Sequence, residues 1–93
     1  MRVNYSKHLK MRIALRKIDY HLPRKVFEEA EDRFVDSRTG HNIAVARVLI
    51  YGKERDVMVA YRYEGENVNL LIIHPLKERQ KEKRLKAGRW RKE

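Results

Sequence analysis

The stretch Ile43–His74 most restricts what this chain can become, because it reads as three strands in a row. Ile43–Tyr51 is a run of apolar and β-branched residues interrupted only by Arg47. Val57–Tyr63 alternates, which puts Val57, Val59, Tyr61 and Tyr63 on one face and Met58, Ala60 and Arg62 on the other. Val68–Ile73 is almost continuously apolar and ends at His74-Pro75. The intervening segments, Gly52–Asp56 and Glu64–Asn67, are short, polar and contain a glycine, as hairpin loops do. Two hairpins in series predict an antiparallel meander whose apolar face needs a cover.

The residues before the meander supply that cover. Ser6 is placed to N-cap a helix over Lys7–Lys17. On a helical wheel Met11, Ala14, Leu15 and Ile18 form one apolar stripe, and Leu9 and Ile13 a narrower one. His8, Arg12 and Arg16 repeat at every fourth position and stack as one ridge between the stripes. Pro23 suits the first turn of a second helix, with Val26, Phe27, Ala30 and Phe34 facing inward and Glu28, Glu29, Glu31 and Asp32 outward. Asp36–Gly40 then reads as a loop into the first strand. The expected fold class is α+β, with two N-terminal helices packed on a three-stranded meander over residues 1–76.

Residues 77–93 differ in kind. Nine Lys/Arg stand against three Glu there, in a chain of 93 residues with a net charge of +10. Leu76 and Leu85 fall on opposite sides of any helix in this segment, so it has no apolar face of its own. It is expected to stand away from the core as a basic C-terminal helix or tail, or to be ordered by a partner, with Gly88 ending the helix and Arg89-Trp90-Arg91 as a basic aromatic tip. Such an excess of cations points to a polyanion, nucleic acid first, with an anionic membrane or an acidic protein as rivals. The absence of cysteine excludes disulfides and thiolate chemistry. No apolar run approaches the roughly 20 residues of a membrane span. The first residues lack a signal peptide's apolar core, so a cytoplasmic location is expected.

His8-x-x-x-Arg12-x-x-x-Arg16-x-Ile18, then a short helix, an acidic loop with Thr39-Gly40, three strands and a basic tail, resembles a widespread prokaryotic family of small domains of unknown function. That family is similar in turn to the BrnT-type and RelE/ParE-type toxins of toxin–antitoxin pairs. The resemblance implies an RNA-cleaving or ribosome-associated fold, with RNA or the ribosome as target and an antitoxin protein as neutralising partner. It does not carry the Lys/Arg/Tyr catalytic set of the RelE-type enzymes onto this chain, so candidates must come from the residues themselves.

RNA cleavage without a metal or other cofactor needs a base for the 2′-hydroxyl proton, cations for the phosphorane and an acid for the leaving oxygen. His8 and His74 are the proton-transfer candidates, and Arg12 and Arg16 the phosphate holders. Tyr61 offers a hydroxyl or a stacking face, and Tyr63 a stacking face. Lys77, Arg79, Lys81, Lys83, Arg84, Lys86, Arg89 and Arg91 are the candidate nucleic-acid contacts, with Trp90 to stack on unpaired bases. Each has a plainer reading. The histidines can be ordinary surface or strand-end residues, Arg12 and Arg16 can pair with Asp36 or the second helix's glutamates, and the tail can be a solvated charged segment. His21 and His41 fall in connectors and receive no role. The spacing of the four histidines matches no metal-site pattern. A non-catalytic nucleic-acid-binding domain, an interaction module for an acidic partner, and a homodimer all remain open.

Overall fold

A computed structural model describes all 93 residues. The architecture is α+β, but its sheet has six strands instead of three. The elements are β1 (Val3–Tyr5), α1 (Lys7–Arg16), α2 (Leu22–Glu29), β2 (Asp32–Asp36), β3 (Asn42–Ile50), β4 (Lys53–Glu64), β5 (Asn67–Pro75), α3 (Gln80–Lys86) and β6 (Trp90–Lys92). Their order across the sheet is β1-β5-β4-β3-β2-β6, antiparallel except where β1 runs parallel to β5. No helix is long and apolar enough to cross a membrane.

The β3-β4-β5 meander forms where the alternation requires it. The first hairpin is tighter than expected: Ile50 pairs with Lys53, and Tyr51 and Gly52 alone make the turn, both at positive φ (53° and 72°). That is the geometry of a two-residue turn that follows strand twist. Val57, Val59 and Tyr61 face the helices and Met58 and Ala60 the opposite side. Ala60 pairs with Ile72 but Tyr61 with Leu70, so Leu71 is an extra residue on β5.

That bulge anchors α1. The Ser6 hydroxyl donates to the Leu71 carbonyl (3.2 Å) and accepts from the Leu9 amide (3.0 Å), while the Ser6 amide donates to the Leu70 carbonyl (2.9 Å). Ser6 is thus both the expected N-cap and a weld to the sheet. The weld corrects the wheel: with the helix start fixed beside β5, the narrower stripe, Leu9 and Ile13, turns inward. Met11 and Leu15 are left 56% and 80% exposed.

Further differences from the expected fold follow. The second helix stops at Glu29 because Ala30 is already extended (ψ 126°). Asp32–Asp36 alternates and becomes β2, so Phe34 is a strand residue and not part of a helical face. Val3–Tyr5 adds β1 to the far edge through pairing with Val68–Leu70. The basic segment does not project as a tail: β6 pairs with β2, placing Trp90 opposite Asp36, and Trp90 is only 2% exposed. Its ring stacks on Phe34 at 5.6 Å between centroids. No helical periodicity could have announced this, because the apolar partner of Trp90 lies on β2, outside its own segment.

Candidate nucleic-acid interface

The two faces of the sheet are covered unequally. α1 and α2 seal one side over Ala44, Ala46, Val57, Val59, Tyr61, Val68 and Leu70. The other side carries a cleft of ≈ 360 Å³. Its floor is Ile43 from β3, Met58 and Ala60 from β4, and Ile72 and His74 from β5. The register makes these neighbours: His74 lies opposite Met58, and Ile72 opposite Ala60, which lies opposite Ile43. One wall is Leu76, Lys77, Gln80 and Arg84, around the start of α3. The other is Asp36, Thr39 and His41 from the β2–β3 connection, and Arg89 and Trp90 close the end.

Asp36 holds this second wall. It is 3% exposed. One carboxylate oxygen accepts from the amides of Arg38 (2.8 Å) and Thr39 (3.2 Å), and the other from Arg89 Nε and Trp90 Nε1 (3.2 Å each). Burial alone would raise its pKa. The two amides, the Arg89 charge and the indole N–H outweigh burial and hold it below the ordinary carboxylate value. The Asp36 amide donates to the His41 carbonyl (2.8 Å), and the His41 amide to Thr39 Oγ1 (3.1 Å), which fixes His41 at the rim.

His74 is half-buried, and its pKa lies below 6.5. Burial is the main cause, followed by the charges of Arg12, Arg16 and Arg84. Arg12 and Arg16 stand on α1 and do not line the cleft, but their charges bear on His74. Neither Arg12 nor Arg16 takes part in any of the five ion pairs, and Asp36 is occupied by Arg89. The plainer reading, that the two arginines are neutralised by acidic neighbours, does not hold.

The other candidates divide. His8 is exposed on the first turn of α1 and does not line the cleft. Lys77, Arg84 and Arg89 line it, and Lys83 lines the groove beside it. Lys81 is tied to Asp32 (3.0 Å), which raises its pKa. Arg79 faces a different depression, and Lys86 and Arg91 are exposed. Trp90 cannot offer a face to bases, since Phe34 and the Arg84 guanidinium (5.3 Å from its centroid) occupy it. Tyr61 is buried against Phe27, its hydroxyl engaged by Arg33 (3.2 Å) and Glu93 (3.3 Å). Tyr63 keeps a free face, 53% exposed.

Sequence reasoning passed over His41 and Gln80. A faint signal for His41 existed: it follows Asp36-Ser37-Arg38-Thr39-Gly40, a loop whose first aspartate could cap its own amides and so aim the next residue.

Cations, two histidines and an apolar floor open to solvent form a surface suited to a phosphodiester: imidazoles to move protons, guanidiniums to hold negative charge, apolar ground for a sugar or base. No protein-family model, curated protein or solved structure matches the chain.

Proposed function

We propose that this chain is an RNA-directed protein of the RelE/BrnT toxin type, and that the open-face cleft cleaves RNA without a metal. The observation that carries the reading is the placement of His74: half-buried on the floor of the open cleft, with His41 and Arg84 lining the same cleft and Arg84 in no ion pair. In this reading neutral His74 takes the proton from a ribose 2′-hydroxyl. The 2′-oxygen attacks phosphorus, and the bond to the 5′-oxygen breaks as His41, acting as general acid, gives a proton to that oxygen. The products are a 2′,3′-cyclic phosphate and a 5′-hydroxyl. Arg84, on the cleft wall, stabilises the charge that builds on the phosphorane, and Arg12 and Arg16 add positive potential from α1. The protein acts in the cytoplasm and is neutralised by an antitoxin that covers the cleft.

The test is incubation of purified protein with a single-stranded RNA oligonucleotide in EDTA. Cyclic-phosphate ends are expected from wild type and from His8→Ala. His74→Ala and His41→Ala should each slow cleavage by about 10²–10⁴-fold. DNA, lacking the 2′-hydroxyl, should survive. Intact RNA after incubation with wild type would remove the enzyme claim.

A second reading is a non-catalytic nucleic-acid-binding domain, favoured by the cations Lys77, Lys83 and Arg84 around the cleft. A steep salt slope, binding that survives the His41→Ala/His74→Ala double change and no cleavage by wild type would select it.

A further inference from the structure

We infer that the groove between α3 and the β2–β3 connection is a second phosphate subsite, which takes the next backbone phosphate of a single-stranded RNA seated in the His74 cleft. The inference rests on the RNA reading of that cleft and extends it. The groove has a volume of ≈ 450 Å³, and Arg38, Lys83, Arg84 and Arg89 line it with no carboxylate among the lining residues. Arg89 is held by Asp36, but Arg38, Lys83 and Arg84 belong to no ion pair. Arg84 stands on the wall that groove and cleft share. Its guanidinium lies over the Trp90 ring, and its Nε is sealed from solvent without a hydrogen-bond partner. A desolvated cation that lacks an acceptor gains from an incoming phosphate, because charge-assisted bonds recover what desolvation cost.

The groove is continuous with the cleft. Gln80, Arg84 and Arg89 line both. A chain of phosphates leaving His74 meets Arg84 at the junction and then Arg38 and Lys83 on opposite banks. One bank is α3, and the other is the loop that Asp36 pins through the Arg38 and Thr39 amides. That pinning keeps the two banks in register before any ligand arrives, which limits the ordering cost of binding. An acidic polypeptide would also find cations here. Continuity with the cleft, whose two histidines suit a phosphodiester, favours RNA.

The experiment measures binding of a fluorescein-labelled 2′-O-methyl oligonucleotide, which cannot be cleaved, so the result does not depend on catalysis. Wild type, Arg38→Ala/Lys83→Ala and a charge-matched control, Lys25→Ala/Lys53→Ala, are titrated between 50 and 200 mM salt. All four positions are exposed, so each variant should fold, and a thermal melt checks it. Loss of two phosphate contacts to a single strand should flatten the log–log salt slope by roughly 1.4, which removes about sevenfold of the salt dependence over that range. The control should keep the wild-type slope. Equal slopes for the two double variants would overturn the subsite while leaving the cleft reading intact. No binding by wild type would overturn both. A groove variant that loses poly-glutamate but keeps RNA would assign the groove to an acidic polypeptide and overturn the inference as well.

Discussion

The two faces of one sheet have been put to different uses. The helix-covered face buries a continuous cluster of 16 residues, from Leu9 and Val26 to Val59 and Leu70. The opposite face buries 7, among them Phe34, Met58 and Trp90, and sets polar groups, Asp36 and His74, among them. The first face holds the fold. The second is held together largely by one carboxylate and one indole, and the surface left uncovered is where cations collect. A small domain can place an electrostatically tuned histidine on a sheet only if the other side of that sheet supplies the stability. His74 and its neighbour Ile73 point to opposite faces of β5 and carry these opposite roles.

This division can be broken from either side. The largest effect is expected from Trp90→Ala. It removes the stack on Phe34 and the indole bond to Asp36, costs about 3–5 kcal/mol in urea unfolding, and opens the cleft. Leu9→Ala, on the covered face, should cost about 2–5 kcal/mol, while the folded fraction keeps its RNA affinity. If it lost affinity in proportion, the faces would not be independent. Asp36→Asn should cost roughly 1.5–3 kcal/mol, as hydrogen bonds to a charged group are weakened. The Asp36 pKa is depressed, so its stabilisation is present above the unfolded value and lost as pH falls through the lower folded value. The acid limb of a stability–pH curve should therefore shrink in the asparagine variant. Arg12→Ala with Arg16→Ala is the mildest change to the fold. Both side chains are unpaired, so stability should stay within about 0.5 kcal/mol of wild type. RNA affinity should drop, and the His74 midpoint, followed by NMR, should move up towards 6.5.

Much of the covered face was legible from residue order, because its determinants are local. The alternation of Val57, Val59 and Tyr61, the Ser6 cap and the Pro23 start are read within a few neighbours. The open face was legible only in part. His74, Arg84, Arg89 and Lys77 stood out by type, but what brings them together is long-range. Trp90 meets Phe34 and Asp36 across a strand pairing that neither segment announces. The same pairing turned an expected projecting basic tip into a wall. His41 received no role because it falls in the polar connector just ahead of the apolar run that starts at Ile43. Its position follows from the Asp36 turn and the pairing of β2 with β3. Met11 and Leu15 misled for a related reason: the wheel ranks stripes by apolar content, while the Ser6–Leu71 weld decided which stripe turned inward.

The most direct test of the division is the pH profile of kcat/KM for RNA cleavage in EDTA, measured for wild type and His74→Ala side by side. Wild type should show an acidic limb with its midpoint below 6.5, and the variant should lose both the limb and most of the rate. Cleavage by the variant with an unchanged profile, or no cleavage by wild type at any pH, would contradict the account.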